Sequence, residues 1–498
     1  MNEALLQEYA SGRSIVSGRF DDSHIVFDAR SGLYFKLMGS TGILWDALVA
    51  GVKPALLVEK NANLSAPALV NLVRTLMRYD LLVVRAEAAH AAPSDQMLTR
   101  LARATEHFDI AVFDAYADPL LSKAMHDGSM PARGPGGAAD PGAAPALDPQ
   151  AVDAATVVGY ARRVIEQARG AAGLFPRRFT IELPELTAEI HATAGRLADA
   201  IEHNLYRGPR ANGGAERMTV FIAHPGIAGI RPPAPWVERE PHWPHDIAEI
   251  LDAARLKASH FFNDWNHWYI YDPDAHTAVQ LMHGADDYPP WEPAAPLRLF
   301  LHWHYAARGK RLAHCGTLGI GEAGVILAGP GGSGKSGAVL AGLLAGLQSV
   351  GDDYVLIEAG ADVIAHRLFS TLKQDAAGIR RLGLERLIAP AAKADWQGKY
   401  DISFADVSCC DQPAMKIHAI LVPRISGSER TAIAPLRRDA AMLALAGSSI
   451  SKMHGDRDSG FRFFGDVVNR LPCYSLDLGG EPAEAAATIA GFIYRSRP

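Results

Sequence analysis

The chain has 498 residues, of which 48% are hydrophobic, and its 49 Lys and Arg against 55 Asp and Glu leave a net charge of −6. This length can form two or three domains with their own cores. The acidic balance disfavours a nucleic-acid partner, and four cysteines are too few for a disulfide framework. The start lacks a secretory-signal pattern, and no apolar run is long enough to span a bilayer. We therefore expect a cytoplasmic protein with no membrane partner.

The first part of the chain predicts a small module over residues 1–90. Short β-type runs are separated by polar turns, and helical patterns follow them. The third helix carries Leu69, Leu72, Val73 and Leu76 on one face. The pattern predicts three strands, two short helices and this third helix, with the first five elements at 14–20, 24–29, 33–38, 40–48 and 55–61.

The stretch from Ile25 to Leu37, followed by Trp45 and Leu48, resembles the PqqD-like family. Members are small winged-helix-like modules that bind leader peptides. The resemblance implies that such a module occupies this part of the chain. A winged helix that reads DNA is the alternative, but the segment lacks clustered Lys and Arg.

In that family the leader peptide adds a strand to a sheet edge and lies against the third helix. Carried over to this chain, the resemblance implies a precursor-peptide partner at the edge strand Leu33–Leu37 and the helix Leu69–Tyr79. Arg74 and Arg78 could meet acidic leader residues. A solvated helix face is the alternative for these two arginines.

The middle of the chain predicts a linker and then a second region. Residues 91–151 are expected to be a partly disordered linker, because 128–149 consists mainly of Gly, Ala and Pro. Residues 152–310 alternate between helix and strand patterns and are expected to form an α+β subdomain.

Histidines are frequent in this subdomain, and two close pairs raise the idea of a metal site. However, no acid or cysteine lies at a familiar ligand spacing, so packed or solvated histidines are the favoured interpretation. The histidines in question are His242, His245, His260, His267, His302 and His304.

A glycine-rich loop organises the last part of the chain. It follows the apolar run Val325–Ala328, precedes a helical pattern, and has the spacing G-x-x-x-x-G-K-S. Glycine allows successive N–H groups to point at one anion, and the helix N-terminus adds to this. A chance match among 46 glycines is the alternative, but the flanking strand and helix disfavour it. The predicted ATP-binding residues are Gly329, Pro330, Gly331, Gly332, Ser333, Gly334, Lys335, Ser336 and Gly337.

Charged and hydroxyl groups complete the predicted site. Lys335 can follow the terminal phosphates as a point charge, and the Ser336 hydroxyl can hold Mg²⁺. One helix later, Asp352 and Asp353 interrupt an apolar run that predicts a strand over 350–357. Buried carboxylates need compensation, which Mg²⁺ and a substrate hydroxyl would provide. A simple turn capped by its own side chains is the alternative.

His314, the loop and the Asp-Asp pair together resemble the kinase core of the HPr kinase family. The resemblance implies an α/β P-loop kinase core over 311–498, related to phosphoenolpyruvate carboxykinase. It implies that Asp352 is the base toward the acceptor, that Asp353 faces the metal with Ser336, and that His314 lies near the transferred phosphate. The order of the two acids stays open. Family members carry Glu after the loop Ser, whereas this chain has Gly337. Members assemble as hexamers, so a homo-oligomer is compatible with the resemblance.

The favoured function is an ATP- and Mg²⁺-dependent kinase that phosphorylates a Ser or Thr hydroxyl of a ribosomally made precursor peptide. One alternative is a leader-binding chaperone with a nucleotide switch, which the missing Glu at Gly337 leaves open. Another is a small-molecule kinase that the first module regulates.

For Lys373, later in the core, a solvated lysine is favoured over a phosphate contact.

Overall fold

In the computed structural model, the described residues are 3–85, 94–114, 154–207, 216–227, 229–230, 244–261, 267–289, 291–389, 392–395, 397–408, 412–453 and 455–496. The predicted Gly-, Ala- and Pro-rich linker at 128–149 lies outside them, as do Cys409, Cys410 and His242. Among the described residues, no helix has both the length and the apolar composition needed to cross a membrane.

The strands are numbered in chain order. Their bounds are β1 Tyr9–Ser11, β2 Ile15–Phe20, β3 Ser23–Asp28, β4 Leu33–Met38, β5 Leu82–Val84, β6 Asp109–Asp114, β7 Arg177–Leu183, β8 Leu186–Ala192, β9 Glu216–Ala223, β10 Lys257–Phe261, β11 His267–Asp272, β12 Thr277–Leu281, β13 Lys310–Ala313, β14 Cys315–Ile320, β15 Ala323–Ala328, β16 Val355–Ala359, β17 Val363–His366, β18 Thr371–Asp375, β19 Lys399–Ser403, β20 Ala414–Ile425, β21 Ala432–Pro435 and β22 Cys473–Leu478.

The α-helices are numbered in the same way. Their bounds are α1 Ser40–Val49, α2 Pro54–Lys60, α3 Ala66–Arg78, α4 Asp95–Leu101, α5 Ala154–Gly170, α6 Arg196–Asn204, α7 Pro244–Ala253, α8 Arg298–Ala306, α9 Lys335–Leu344, α10 Ala376–Leu382, α11 Phe404–Val407, α12 Arg438–Ile450, α13 Arg457–Arg470 and α14 Pro482–Arg495.

The chain divides into two compact units that differ from the four predicted segments 1–90, 91–151, 152–310 and 311–498. The first unit comprises Met1–Ala117, Pro435–Ser451 and Arg457–Cys473, so it includes α12 and α13 from the predicted kinase core. The second unit comprises Asp118–Ala434, Lys452–Asp456 and Tyr474–Pro498. Together they form a mixed α/β protein with several sheets.

The first unit contains a four-stranded antiparallel sheet of order β2-β3-β4-β6 and a two-stranded sheet of β1 and β5. Alternation along the strands gives the larger sheet two apolar faces. One face supplies Phe35 and Leu37 to a core shared with α1, α2 and α3. On the other face, the Phe27 ring stacks on Phe461 of α13 at 5.8 Å between centroids, and Lys36 pairs with Asp439 of α12 at 3.0 Å.

Strand β6 corrects two expectations about this unit. It pairs with β4 along its whole length, from Leu33 opposite Asp114 to Met38 opposite Asp109. The prediction that Leu33–Leu37 is a sheet edge is therefore wrong, and β6 forms that edge. The prediction of a linker is also wrong over 95–114, where α4 and β6 belong to the first unit. The sequence shows a helical pattern and then the apolar run 110–113 in this segment, but it did not show that they belong to the first unit.

The second unit contains a six-stranded sheet of order β10-β11-β12-β9-β8-β7. Both of its faces are covered by helices. Trp268 and Ile270 of β11 point to a core that includes residues of α5 and α7. Tyr269 and Tyr271 alternate to the other face, which packs with α6 and α8. This arrangement explains why the strands read as nearly continuous apolar runs.

The same unit contains an eight-stranded sheet with the path β13-β16-β17-β20-β15-β14, extended by β22 and β21. The loop strand β15 lies between β20, to which it is parallel, and β14, to which it is antiparallel. Residues of α9 and α14 share one apolar core with this sheet. The turn that precedes β16 contacts β14, the other neighbour of β15, through the Gly351 carbonyl, which accepts from the Thr317 amide at 3.0 Å.

Candidate functional site

The glycine-rich loop connects β15 directly to α9, as the strand–loop–helix pattern predicted. Gly332 and Gly334 have φ values of 78° and 101°, a region in which only glycine lies without strain. A Cβ atom on Gly334 would also lie 2.4 Å from Cδ1 of Leu478. Glycine is therefore required at this position both by the backbone and by the neighbouring strand.

Lys335 begins α9 and folds back over the loop. Its Nζ donates to the carbonyl oxygens of Gly329 and Pro330, at 2.7 and 3.0 Å. The side chain of Lys335 is buried. This burial and the positive charge of Lys452 lower the pKa of Lys335 to about 8. An ammonium group held against loop carbonyls can transfer its hydrogen bonds to a more negative acceptor, such as a phosphate.

The two acids lie in a turn before β16 rather than inside a strand, so the predicted strand over 350–357 begins at Val355. Asp352 is 2% exposed. Neither of its carboxylate oxygens has a hydrogen-bond partner within the described part of the chain. Burial, followed by the charge of Asp353, raises the pKa of Asp352 to about 6, and Ser336 and Lys335 oppose the rise. The site thus contains a buried carboxylate that Ser336 and Lys335 compensate only in part.

Asp353 has a different environment. Its φ is 73°, and its Oδ1 lies 2.9 Å from Nε2 of His314. Burial alone would raise the pKa of Asp353. The hydrogen bond from His314, together with Lys452 and Lys373, instead holds that pKa well below its usual range. Asp353 is therefore an ionised carboxylate with a partner.

His314 lies between β13 and β14 and is 5% exposed. Its Nε2 is also 3.1 Å from Nζ of Lys452. Burial, then the charges of Lys452 and Lys335, lowers the pKa of His314 to about 3, so the ring is neutral near pH 7. Sequence reasoning missed Lys452, which is 138 residues away along the chain and lies in no motif.

A cavity of about 220 Å³ opens beside the two acids. Lys373 is buried at its wall and donates to Asp395 at 2.7 Å, so the prediction of a solvated lysine is wrong. The Tyr354 hydroxyl, another missed group, accepts from Arg298 at 2.9 Å. The lining residues are Ala294, Ala295, Asp352, Asp353, Tyr354, Phe369, Thr371 and Lys373.

A larger, mostly apolar hollow of about 520 Å³ lies on the other side of the loop. Gly334, Gly337 and Ala338 form part of its wall. A Cβ atom on Gly337 would approach Nε2 of Gln374 to 3.3 Å, so a larger side chain at this position would press on Gln374. Gly337 therefore lines this hollow with backbone atoms alone.

The histidines of the second unit are mainly packed. His267, His302 and His304 are all buried. Burial lowers the pKa of His302 to about 3 and that of His304 to about 4, so both rings are neutral. These three side chains are therefore packed within the second unit. The side chains of His245 and His260 lie outside what the structure describes.

The predicted site residues thus come together at one place. The loop 329–337, His314 and the Asp352–Asp353 turn surround one end of β15. No protein-family model matches the chain, and no curated protein matches it. Among solved structures, the HPr(Ser) kinase/phosphatase from Coxiella burnetii aligns with 37% of this chain and 96% of its own, at 12% identity and a TM-score of 0.21. A TM-score of this size does not establish a common fold.

Proposed function

We propose that this protein is an ATP-dependent kinase that phosphorylates a Ser or Thr hydroxyl of a ribosomally made precursor peptide. The observation that carries the proposal is the buried carboxylate of Asp352, whose raised pKa shows that Lys335 and Ser336 compensate its charge only in part. An unpaired buried carboxylate is costly. A magnesium ion bound between the loop and Asp352 would remove that cost, because Mg²⁺ prefers carboxylate and hydroxyl oxygens.

In this proposal the loop amides and Lys335 hold the phosphates of ATP. Ser336 and Asp352 would hold Mg²⁺, which when bound neutralises charge on the transferred group. The family resemblance implied that Asp353 faces the metal and that Asp352 is the base, an order that the sequence alone left open. The surroundings favour the reverse, because Asp353 already has His314 as a partner whereas Asp352 has none among the described residues.

Asp353 and His314 would then orient the acceptor hydroxyl. The pocket lined by Asp353, Thr371 and Lys373 would face the acceptor side chain. A strongly ionised Asp353 is a weak base, but phosphoryl transfer depends more on position and charge neutralisation than on proton removal. Lys452 and Lys373 would offset the negative charge that accumulates at this side of the site.

The first unit would bind the leader of the same peptide. Because β6 covers the expected edge at β4, we place the leader on the outer edge of β6, by β-augmentation. Val112 and Phe113 of β6 are 45% and 41% exposed, and Tyr79 at the end of α3 is 41% exposed. A tethered leader would raise the local concentration of the acceptor.

The test is mass spectrometry of the precursor peptide after incubation with the full chain, ATP and Mg²⁺. We expect a gain of one phosphate with the wild type and a rate about a thousandfold lower with Lys335→Ala. Lys416→Ala is the matched control, because Lys416 pairs with Asp362 on the surface of the second unit. ATP binding without any phosphate on the peptide would favour the chaperone alternative instead.

The leader site has a separate test. Val112→Arg places a charge on the proposed edge, and we expect the affinity for the leader peptide, measured by fluorescence anisotropy, to fall at least tenfold. Leu174→Arg is the control, because Leu174 is 67% exposed and belongs to the second unit. Equal affinity of both variants would remove β6 from the proposal and leave the kinase site intact.

A further inference from the structure

We propose that Glu216, His276 and His304 form a binding site for a divalent first-row metal ion of the zinc type. One potential ligand atom from each side chain lies within 4.8 Å of the other two. Two imidazoles and one carboxylate are ligands that Zn²⁺ takes, and three protein ligands leave a position for water.

The fold assembles this group from three separate segments. Glu216 is the first residue of β9, and His276 directly precedes β12. The two strands are parallel neighbours, so their N-terminal ends lie side by side, and the Thr219 amide donates to the His276 carbonyl at 2.9 Å. His304 comes from the last turn of α8, which packs on the same sheet. No sequence spacing indicates this arrangement.

Two of the nitrogen atoms have unused hydrogen-bonding capacity. His304 is 1% exposed. Its Nε2 and the Nδ1 of His276 are buried and have no hydrogen-bond partner among the residues that the structure describes. The other nitrogen of His304, Nδ1, lies 3.4 Å from the Tyr271 hydroxyl. If Nδ1 carries the proton and donates to Tyr271, the Nε2 lone pair is free to bind a metal ion.

Arg308 is the cation already present at this site. Its Nε donates to Oε1 of Glu216 at 3.0 Å, and its Nη2 contacts the other carboxylate oxygen. Each carboxylate oxygen has a second lone pair, so Glu216 can keep Arg308 and still bind a metal ion. In that arrangement Arg308 orients the ligand as an outer partner.

A metal ion here would join the starts of β9 and β12 to α8. It would be separate from the proposed magnesium site in both ligand type and location, since no residue is shared. We therefore expect Zn²⁺ to raise the thermal unfolding midpoint of the wild-type chain without ATP, because a ligand that binds only the folded state stabilises it.

The test uses the untagged full chain, titrated with Co²⁺ followed by visible absorbance and with Zn²⁺ followed by calorimetry. The expected result is one equivalent per chain and at least tenfold weaker binding in His304→Ala, His276→Asn and Glu216→Gln. His203→Ala is the matched control, because the exposed His203 ring donates from Nδ1 to the Asp199 carbonyl within α6. Lys335→Ala should bind Zn²⁺ like the wild type, which separates this site from the nucleotide loop.

Asn is chosen to replace His276 because it should leave the folded structure unchanged. His276 has a φ of 47°, and Asn tolerates this region better than other non-glycine residues. Full-affinity binding by folded His276→Asn and Glu216→Gln would overturn the proposal, as would a wild-type chain that binds no Co²⁺ or Zn²⁺ at micromolar concentration. In that event Glu216 pairs with Arg308 and does not bind a metal ion.

Discussion

The loop region and the first unit are built in opposite ways. Lys335, Ser336 and the Asp352–Asp353 turn come from one continuous stretch of strand, loop and helix. In the first unit, side chains near the start and the end of the chain meet, as when Arg437 contacts Asp22 across 415 residues of sequence. The comparison teaches that a site made of local backbone geometry is visible in a sequence, whereas a unit completed by a distant segment is not.

The same comparison explains the missed β6. In the loop, positive φ at Gly332 and Gly334 leaves a direct mark, because few other residues tolerate it. The pairing of β6 with β4 leaves no such mark, since it depends on backbone hydrogen bonds that any residue except proline can make. A site that depends on side-chain identity is therefore easier to predict from the sequence than a strand pairing that depends on main-chain hydrogen bonds.

The largest expected effect is on the first unit, and it tests whether the distant segment is part of it. Phe461 is 1% exposed and stacks on Phe27. Phe461→Ala should lower the free energy of unfolding by about 3–5 kcal/mol, because it leaves a cavity in a packed core. Urea denaturation measures this.

Arg462→Ala, on the exposed side of the same helix, is the matched control. Surface substitutions of this kind change stability by about 0.5 kcal/mol or less. If Phe461→Ala had an effect no larger than that of Arg462→Ala, α13 would not be an integral part of the first unit.

The next effect sharpens the roles of the two acids in the loop region. Asp352→Asn should raise the Mg²⁺ concentration needed for half-maximal ATP binding by roughly 10- to 100-fold, because it removes a proposed ligand. Asp353→Asn should slow transfer but keep the wild-type Mg²⁺ dependence. Calorimetric ATP titrations at several Mg²⁺ concentrations measure both. The opposite pattern would restore the assignment that the sequence suggested.

The smallest effect concerns pH and stability without ligands. The pKa of Asp352 in the folded protein is about 6, above the ordinary value of 3.8 for an aspartate. The folded state therefore holds the Asp352 proton more tightly than the unfolded state does. The contribution of Asp352 to stability falls as the pH rises from 3.8 to about 6, and it is lost at higher pH. Asp352→Asn should accordingly stabilise the ligand-free protein at pH 7 by about 3 kcal/mol and flatten the pH dependence.

Thermal unfolding between pH 4 and pH 7 checks this, with Asp406→Asn, an exposed acid of the second unit, as the control. An Asp352→Asn chain that is less stable than the wild type at pH 7 would mean that the carboxylate is already compensated.

Much of the candidate site could be predicted, because its residues follow a motif whose spacing reflects a backbone requirement. The loop, Lys335, Ser336 and the acid pair were identified from residue types and spacing, and His314 from the family resemblance. The groups that tune them were not. Lys452 and Arg298 approach from other segments, and Lys373 becomes buried only because Asp395 pairs with it.

The amino-acid sequence alone determined the anion-binding loop, because the glycine positions, the lysine and the following helix are all requirements of local chain geometry. Only the tertiary structure decided which aspartate lacks a partner, that a later strand covers β4, and that Glu216, His276 and His304 meet. Those outcomes depend on contacts between segments far apart in the chain. Such contacts are selected by the packing of whole sheets and helices rather than by the residues next to them in sequence.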